Sequence, residues 1–117
     1  MNKFFSILVI MLLLIVGCTS TNSAEEKIGI RGDITSIYID KDNPSIQVDG
    51  KVEEDTSYPK ASVNITKDTV IQNKNKDKLY NITDLELGMT VEVIFDGSTM
   101  KSDPVKGNAK VITIINE

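Results

Sequence analysis

Apolar and polar residues alternate with a period of two in a series of short segments of this chain, and turn-forming residues separate those segments. Successive side chains of a β-strand point to opposite faces, so this alternation predicts strands that bury one face. No stretch shows the apolar periodicity of a long helix. The chain is therefore predicted to be all-β.

The first predicted strand begins at Ile28 and runs to Ile39. The apolar residues occupy even positions before Thr35-Ser36 and odd positions after it. This change indicates a β-bulge of the kind that bends a sheet towards a barrel. Val70-Ile71 is a short apolar piece that is not assigned to a strand. The other predicted strands cover residues 45–48, 60–66, 89–96 and 108–116.

One helical turn is predicted at Thr83–Gly88, between the third and fourth strands. Thr83 and Glu86 have the spacing of a capping box, and Gly88 suits the left-handed end of a helix. Three strands, a helical turn and two strands are the elements of a small five-stranded OB-like barrel. A small open β-sandwich is the alternative arrangement.

The N-terminus has the features of an export signal. Lys3 precedes an uninterrupted apolar run of ten residues, 7–16, which is shorter than the roughly 20 residues that span a bilayer. The run ends in Ile15-Val16-Gly17-Cys18, which resembles the lipobox of bacterial lipoproteins. We expect residues 1–17 to be a signal peptide and the Cys18 thiol to carry a diacylglyceryl group. The alternative is an ordinary signal peptide with an incidental Cys18.

The segment after Cys18 is polar and rich in Ser and Thr, so residues 18–27 are predicted to be a flexible tether. Residues 28–117 are predicted to be the barrel domain. Cleavage removes 17 of the 117 residues and leaves 100, enough for one modest core. The expected location is the outer face of the cell membrane, reached through the lipid on Cys18.

Composition excludes several function classes. The chain has no His and one Cys, so a Ser-His-Asp relay, a His-ligated metal and an intrachain disulfide are all ruled out. Loss of Lys3 leaves 12 basic against 17 acidic residues, a formal charge of −5 that repels nucleic acid. We predict no catalytic residue, no metal ligand and no cofactor.

Three groups of acidic residues are candidates for metal or catalytic sites. Residues 40–43 begin like a calcium loop, but Ser45 and Lys51 stand where such a loop needs Gly and Glu, so a polar hairpin is expected. The Glu53-Glu54-Asp55 run is interpreted as a solvated loop. Glu92 and Asp96 share a strand face about 13 Å apart, too far for an acid–base pair.

Two further motifs are interpreted as incidental or as loops. Arg31-Gly32-Asp33 spells an adhesion tripeptide, but it lies inside the first strand pattern rather than at a loop tip. Lys74, Lys76 and Lys78 form a small basic loop that is able to contact phosphate-bearing polymers, although a solvated loop is the preferred interpretation. Because small barrels carry function on loops, residues 51–58 and 72–78 are the expected places for a site.

Residues 84–97, Asp-Leu-Glu-Leu-Gly-Met-Thr-Val-Glu-Val-Ile-Phe-Asp-Gly, resemble the signature of the YobA-like family of small Gram-positive lipoproteins. Residues 100–109 and 60–66 also fit, and Asp103 stands where members often carry an aromatic residue. The resemblance implies an OB-like domain of unknown function. It implies no catalytic residues, because the family has none established.

We therefore expect a membrane-anchored lipoprotein with a non-enzymatic binding or accessory role at the cell envelope. Its partners would be the membrane, through Cys18, and an envelope polymer or another membrane protein. The alternatives are an envelope enzyme acting through carboxylates and an inhibitor of an envelope enzyme. A convergent Asp/Glu pair with raised pKa values would favour the enzyme.

Overall fold

A computed structural model describes residues 27–116, which form one six-stranded sheet and a short 3-10 turn at Ile82–Asp84. The predicted signal peptide, Cys18 and the tether up to residue 26 lie outside the described residues. The strands are β1 (Ile30–Tyr38), β2 (Ser45–Gly50), β3 (Lys60–Asn64), β4 (Val70–Asn73), β5 (Thr90–Phe95) and β6 (Val105–Asn116).

Five of the strands close into a barrel. Their order is β3-β2-β1-β5-β6, and a parallel pairing of β3 with β6 joins the two ends. The other pairings around the barrel are antiparallel. The predicted five-stranded OB-like barrel with one helical turn is confirmed, and the β3–β6 pairing rules out the open sandwich.

The predicted bulge in β1 is also confirmed. Ile34 pairs with Val48 and Ser36 pairs with Gln47, so Thr35 is the extra residue. The bulge lets one strand change its inward-facing parity without leaving the sheet. The core consists of inward-facing aliphatic side chains, and its largest fully buried members are Ile30, Ile34, Ile46, Ile112, Val48, Val63, Val91 and Val93.

The sixth strand, β4, was not predicted as a strand. It runs parallel to β6, with Val70 opposite Val111 and Asn73 opposite Ile114. Strand β6 has 12 residues, so β3 and β4 occupy successive parts of the same edge. Strand β6 begins at Val105 rather than residue 108, because Val105 pairs with Ala61 and is buried.

The helical turn is shorter and lies earlier than the predicted Thr83–Gly88. The Asn81 N–H donates to the Asp84 carboxylate over 2.8 Å, so the cap involves this pair. Leu85 is buried as expected, but Leu87 is exposed. Within residues 27–116 no helix is long and apolar enough to cross a membrane.

The strand directions give the barrel two different ends. Because β1 is antiparallel to β2 and β5, the start of β1 shares an end with the β2–β3 loop, residues 51–59, and the β5–β6 loop, residues 96–104. Lys27, the first described residue, lies at this end of the barrel too, so we call this end the Lys27 end. The loops at 39–44 and 65–69 lie at the opposite end.

Candidate functional site

An open groove of about 570 Å³ lies at the Lys27 end, between the 51–59 and 96–104 loops. Its volume falls in the range of roughly 300–1,000 Å³ that is typical of small-molecule sites. Aromatic rings, hydroxyl groups and charged groups line this Lys27-end groove, namely Tyr58, Phe95, Ser57, Ser98, Thr99, Lys27, Asp96 and Lys110.

The Phe95 ring is held between two glycines. A Cβ on Gly29 would lie 2.3 Å from the Phe95 Cδ2 atom, and one on Gly107 would lie 2.7 Å from its Cδ1 atom. Tyr58 packs edge-on against the same ring, with 6.0 Å between the centroids and an angle of 77° between the planes. Edge-to-face packing suits the aromatic quadrupole, so the two rings form a defined wall of the groove.

Hydrogen bonds join the segments that form the groove. The Tyr58 hydroxyl lies 2.8 Å from the Thr99 Oγ1 atom, which connects the two loops. The backbone N–H groups of Ser57 and Tyr58 both donate to the Gly29 carbonyl over 2.9 Å. The Thr56 side chain is buried and accepts the Glu53 N–H over 2.7 Å. The groove is therefore preformed rather than assembled by loose loops.

Arg31 fastens the 51–59 loop to the barrel. Its Nε atom donates to Glu92 over 2.9 Å, and its Nη2 atom donates to Asp55 over 2.6 Å. Glu53 lies 3.5 Å from Nη1. The acidic loop is thus partly ion-paired, which corrects the prediction of a solvated loop. The Arg-Gly-Asp tripeptide lies in β1, as predicted, and its arginine has this structural contact.

The hydrogen bond from Arg31 lowers the pKa of Asp55, so acid is expected to weaken the loop's attachment. A carboxyl group with a lowered pKa stabilises the fold above its ordinary pKa of about 4 and loses that effect as the pH falls through the lowered value. We predict that Asp55→Asn lowers Tm near neutral pH and flattens the fall in Tm below about pH 4. Thermal unfolding across pH measures this directly.

Glu54→Gln is the matched control, because Glu54 is exposed in the same loop but is not one of the Arg31 ion-pair partners. Its Tm profile should run close to the wild-type profile. An Asp55→Asn profile that stayed parallel to wild type at all pH values would show that the Arg31–Asp55 pair adds nothing to stability.

The other predicted loop, 72–78, lies away from the groove. The Asn73 Oδ1 atom accepts the N–H groups of Asp77 and Lys78 over 3.0 and 3.2 Å, which closes a compact turn. The Lys78 Nζ atom lies 4.9 Å from the centroid of the Tyr80 ring. The structure therefore does not bring the two predicted loops together into one site.

The acidic motifs do not converge on a metal site. The Asp42 N–H donates to the Asp40 Oδ1 atom over 3.1 Å, which fits the polar hairpin predicted for this segment. Glu92 belongs to the Arg31 cluster, whereas Asp96 lies in the groove. Among residues 27–116, no set of three or more His, Cys, Asp or Glu side chains is placed to hold a metal ion.

Sequence reasoning missed Phe95, Thr99 and Lys110 as groove residues. Ile94 pairs with Val111 and Phe95 pairs with Ala109, so Lys110 is the extra residue of a second bulge. The signal for this bulge was present, because the apolar positions that are buried change from odd numbers, Val105 and Ala109, to even numbers, Ile112 and Ile114. Bulges re-aim side chains, and this one accompanies the placement of Lys110 at the groove.

Comparison with protein-family models, with curated proteins and with solved structures gave no match for this chain. The candidate site therefore rests on the geometry described above.

Proposed function

We propose that this chain is a lipoprotein, anchored through Cys18 to the outer face of the cell membrane, with a non-enzymatic binding or accessory role at the cell envelope. We propose further that it belongs with the YobA-like lipoproteins, which residues 84–97 resemble. The observation that carries the binding role is the preformed Lys27-end groove.

The construction of the groove supports binding. Its walls are held by the Tyr58–Thr99 hydrogen bond and by the packing of Phe95 between two glycines. A preformed site does not have to order its loops when a ligand arrives, and that saves conformational entropy on binding. Barrels of this OB-like type commonly bind their ligands with loops.

The carboxylate-enzyme alternative has less support. A general acid that works near neutral pH needs a raised pKa. The carboxylates that the structure gathers are around Arg31, and the hydrogen bond from Arg31 lowers the pKa of Asp55. That direction is the opposite of the one a general acid requires. Glu92 is held by the same guanidinium group.

A thermal-shift screen tests the binding role. The protein would be residues 19–117, because all six strands and the core lie within this range. The panel would hold peptidoglycan fragments, teichoic-acid fragments, nucleotides, calcium and magnesium. A ligand at ten times its dissociation constant adds about 1.4 kcal/mol. For a domain of this size, we expect a rise in Tm of roughly 6–11 °C.

Ser98→Trp should remove that rise, because Ser98 is an exposed groove residue and a tryptophan there would fill the groove without entering the core. Lys74→Trp, in the exposed loop away from the groove, is the matched control and should keep the rise. An equal rise in both variants would place the site elsewhere. A flat panel would contradict small-ligand binding and favour a protein partner, such as the target of an inhibitor.

A further inference from the structure

We propose that the Lys27-end groove binds a phosphate-bearing polyol or sugar chain that lies close to the membrane. This inference deepens the proposed function and rests on it, because the position of the groove depends on the lipid at Cys18. It names the ligand class, which the proposed function leaves open.

The charges at the groove favour an anionic ligand. Lys27 and Lys110 both line it and are exposed, in a chain whose net charge is −4. Lys101 and Lys106 are exposed at the same end, in the 96–104 loop and at the start of β6. Lysine binds phosphate as a point charge. Two nearby carboxylates, Glu53 and Asp55, are ion-paired with Arg31, which reduces their repulsion of an anion.

The remaining wall groups favour a polyol over a bare phosphate ion. Ser57, Ser98 and Thr99 supply hydroxyl groups that can donate and accept hydrogen bonds. The Asp96 carboxylate repels phosphate, but it accepts hydrogen bonds from the hydroxyl groups of a polyol or sugar. The Tyr58 and Phe95 rings offer apolar surface to the carbon chain. A ligand that places its phosphates near the lysines and its hydroxyl groups near Asp96 would satisfy all these protein groups together.

The shape of the groove favours a segment of a chain. The groove is open rather than enclosed, so a ligand can continue beyond it. Lys101 and Lys106 lie outside the groove but at the same end. They are placed to meet further phosphates along such a chain.

The reach of the chain places the groove near the membrane. Lys27 lies nine positions after Cys18, and each extended residue spans at most about 3.6 Å. Lys27 is itself a groove residue, so the groove lies within roughly 30 Å of the lipidated cysteine. The fitting ligand is therefore a polymer that begins at the membrane or runs along its surface.

The test uses the full processed lipoprotein in detergent and a synthetic glycerol-phosphate oligomer as the probe. We expect saturable binding by calorimetry, no binding of uncharged oligoglycerol of the same length, and much weaker binding of inorganic phosphate. The double variant Lys27→Gln/Lys110→Gln should weaken binding by about tenfold or more, because each lysine contributes a charge-assisted contact. Both side chains are exposed, and the Tm of the double variant, measured alongside, distinguishes lost binding from lost stability.

The matched control is Lys74→Gln/Lys76→Gln, which removes the same charge from the 72–78 loop and should leave the affinity unchanged. If the two double variants lost affinity for the oligomer equally, the groove assignment would be overturned and only general electrostatic attraction would be indicated. Equal binding of oligoglycerol would overturn the role of phosphate. The protein could also bind phosphatidylglycerol vesicles, and the oligomer could fail to compete with that binding. This result would assign the site to lipid head groups and overturn the assignment to a polymer.

Failure of this inference can be told apart from failure of the proposed function. If the glycerol-phosphate oligomer does not bind but another envelope fragment gives a Ser98→Trp-sensitive rise in Tm, the ligand class is wrong and the groove remains a binding site. If no fragment raises Tm, the binding role of the groove fails as well.

Discussion

Gly32→Ala is expected to remove a large part of the stability of the barrel. A Cβ at position 32 would lie 2.2 Å from the carbonyl oxygen of Asp49, 2.5 Å from its carbonyl carbon and 2.7 Å from the Gly50 Cα atom. All three are backbone atoms, so no side-chain rotation relieves the overlap. Residues 32 and 50 are directly paired across β1 and β2, and the strands would have to separate.

Separation of β1 from β2 would also open the core, because Ile30 and Ile34 flank Gly32 and are buried. We expect a loss of about 3 kcal/mol or more, at the upper end of overpacking effects. A single domain has only about 5–15 kcal/mol in total. The Tm should fall by roughly 12 °C or more, measured by circular dichroism on residues 19–117.

Gly97→Ala is the control, because a Cβ there meets nothing within 4 Å. Its φ of +74° makes alanine strained by about 1–2 kcal/mol, so this variant isolates the effect of backbone strain. If Gly32→Ala and Gly97→Ala lowered Tm equally, the close approach of β1 and β2 would not be the reason for glycine at position 32.

Cys18→Ala is expected to abolish membrane attachment. The thiol of Cys18 is the proposed site of the diacylglyceryl thioether, and the chain has no second cysteine to replace it. Each acyl CH₂ buried in the bilayer contributes about 0.8 kcal/mol, and two chains are needed for stable anchoring. Metabolic labelling with a palmitate analogue, followed by detergent phase partitioning, should show labelled wild type and unlabelled Cys18→Ala.

Ser20→Ala, two residues beyond the cysteine, serves as the control and should be labelled and partition like wild type. Label on the Cys18→Ala variant would mean that the lipid is attached elsewhere. An unlabelled wild-type chain that is cleaved and released would instead favour the ordinary signal peptide.

The strands that were predicted correctly are those whose signal is local. Side-chain direction along a strand depends only on the backbone of that strand, so the alternation through Ala61 and Val63 predicted β3 without knowledge of its neighbours. The slip at Thr35-Ser36 predicted the β1 bulge for the same reason. Gly88 was expected in a left-handed conformation and has a φ of +89°, although it lies beyond the 3-10 turn rather than at its cap.

The elements that were missed depend on distant partners. Strand β4 has four residues, too few for a periodic signal, and exists as a strand because Val70–Asn73 pairs with residues about 40 positions later in β6. The start of β6 was misplaced because the pairing of Val105 with Ala61 is equally remote in sequence.

The amino-acid sequence by itself determined the all-β class and the succession of the five barrel strands along the chain, and it carries the proposed lipid signal, because each of these depends on neighbouring residues. Only the tertiary structure decided the site. The Tyr58–Thr99 contact joins residues 41 positions apart, and the Arg31–Glu92 contact joins residues 61 positions apart. Barrel closure brings these side chains together, and no local pattern specifies which loops will meet at one end of a closed barrel.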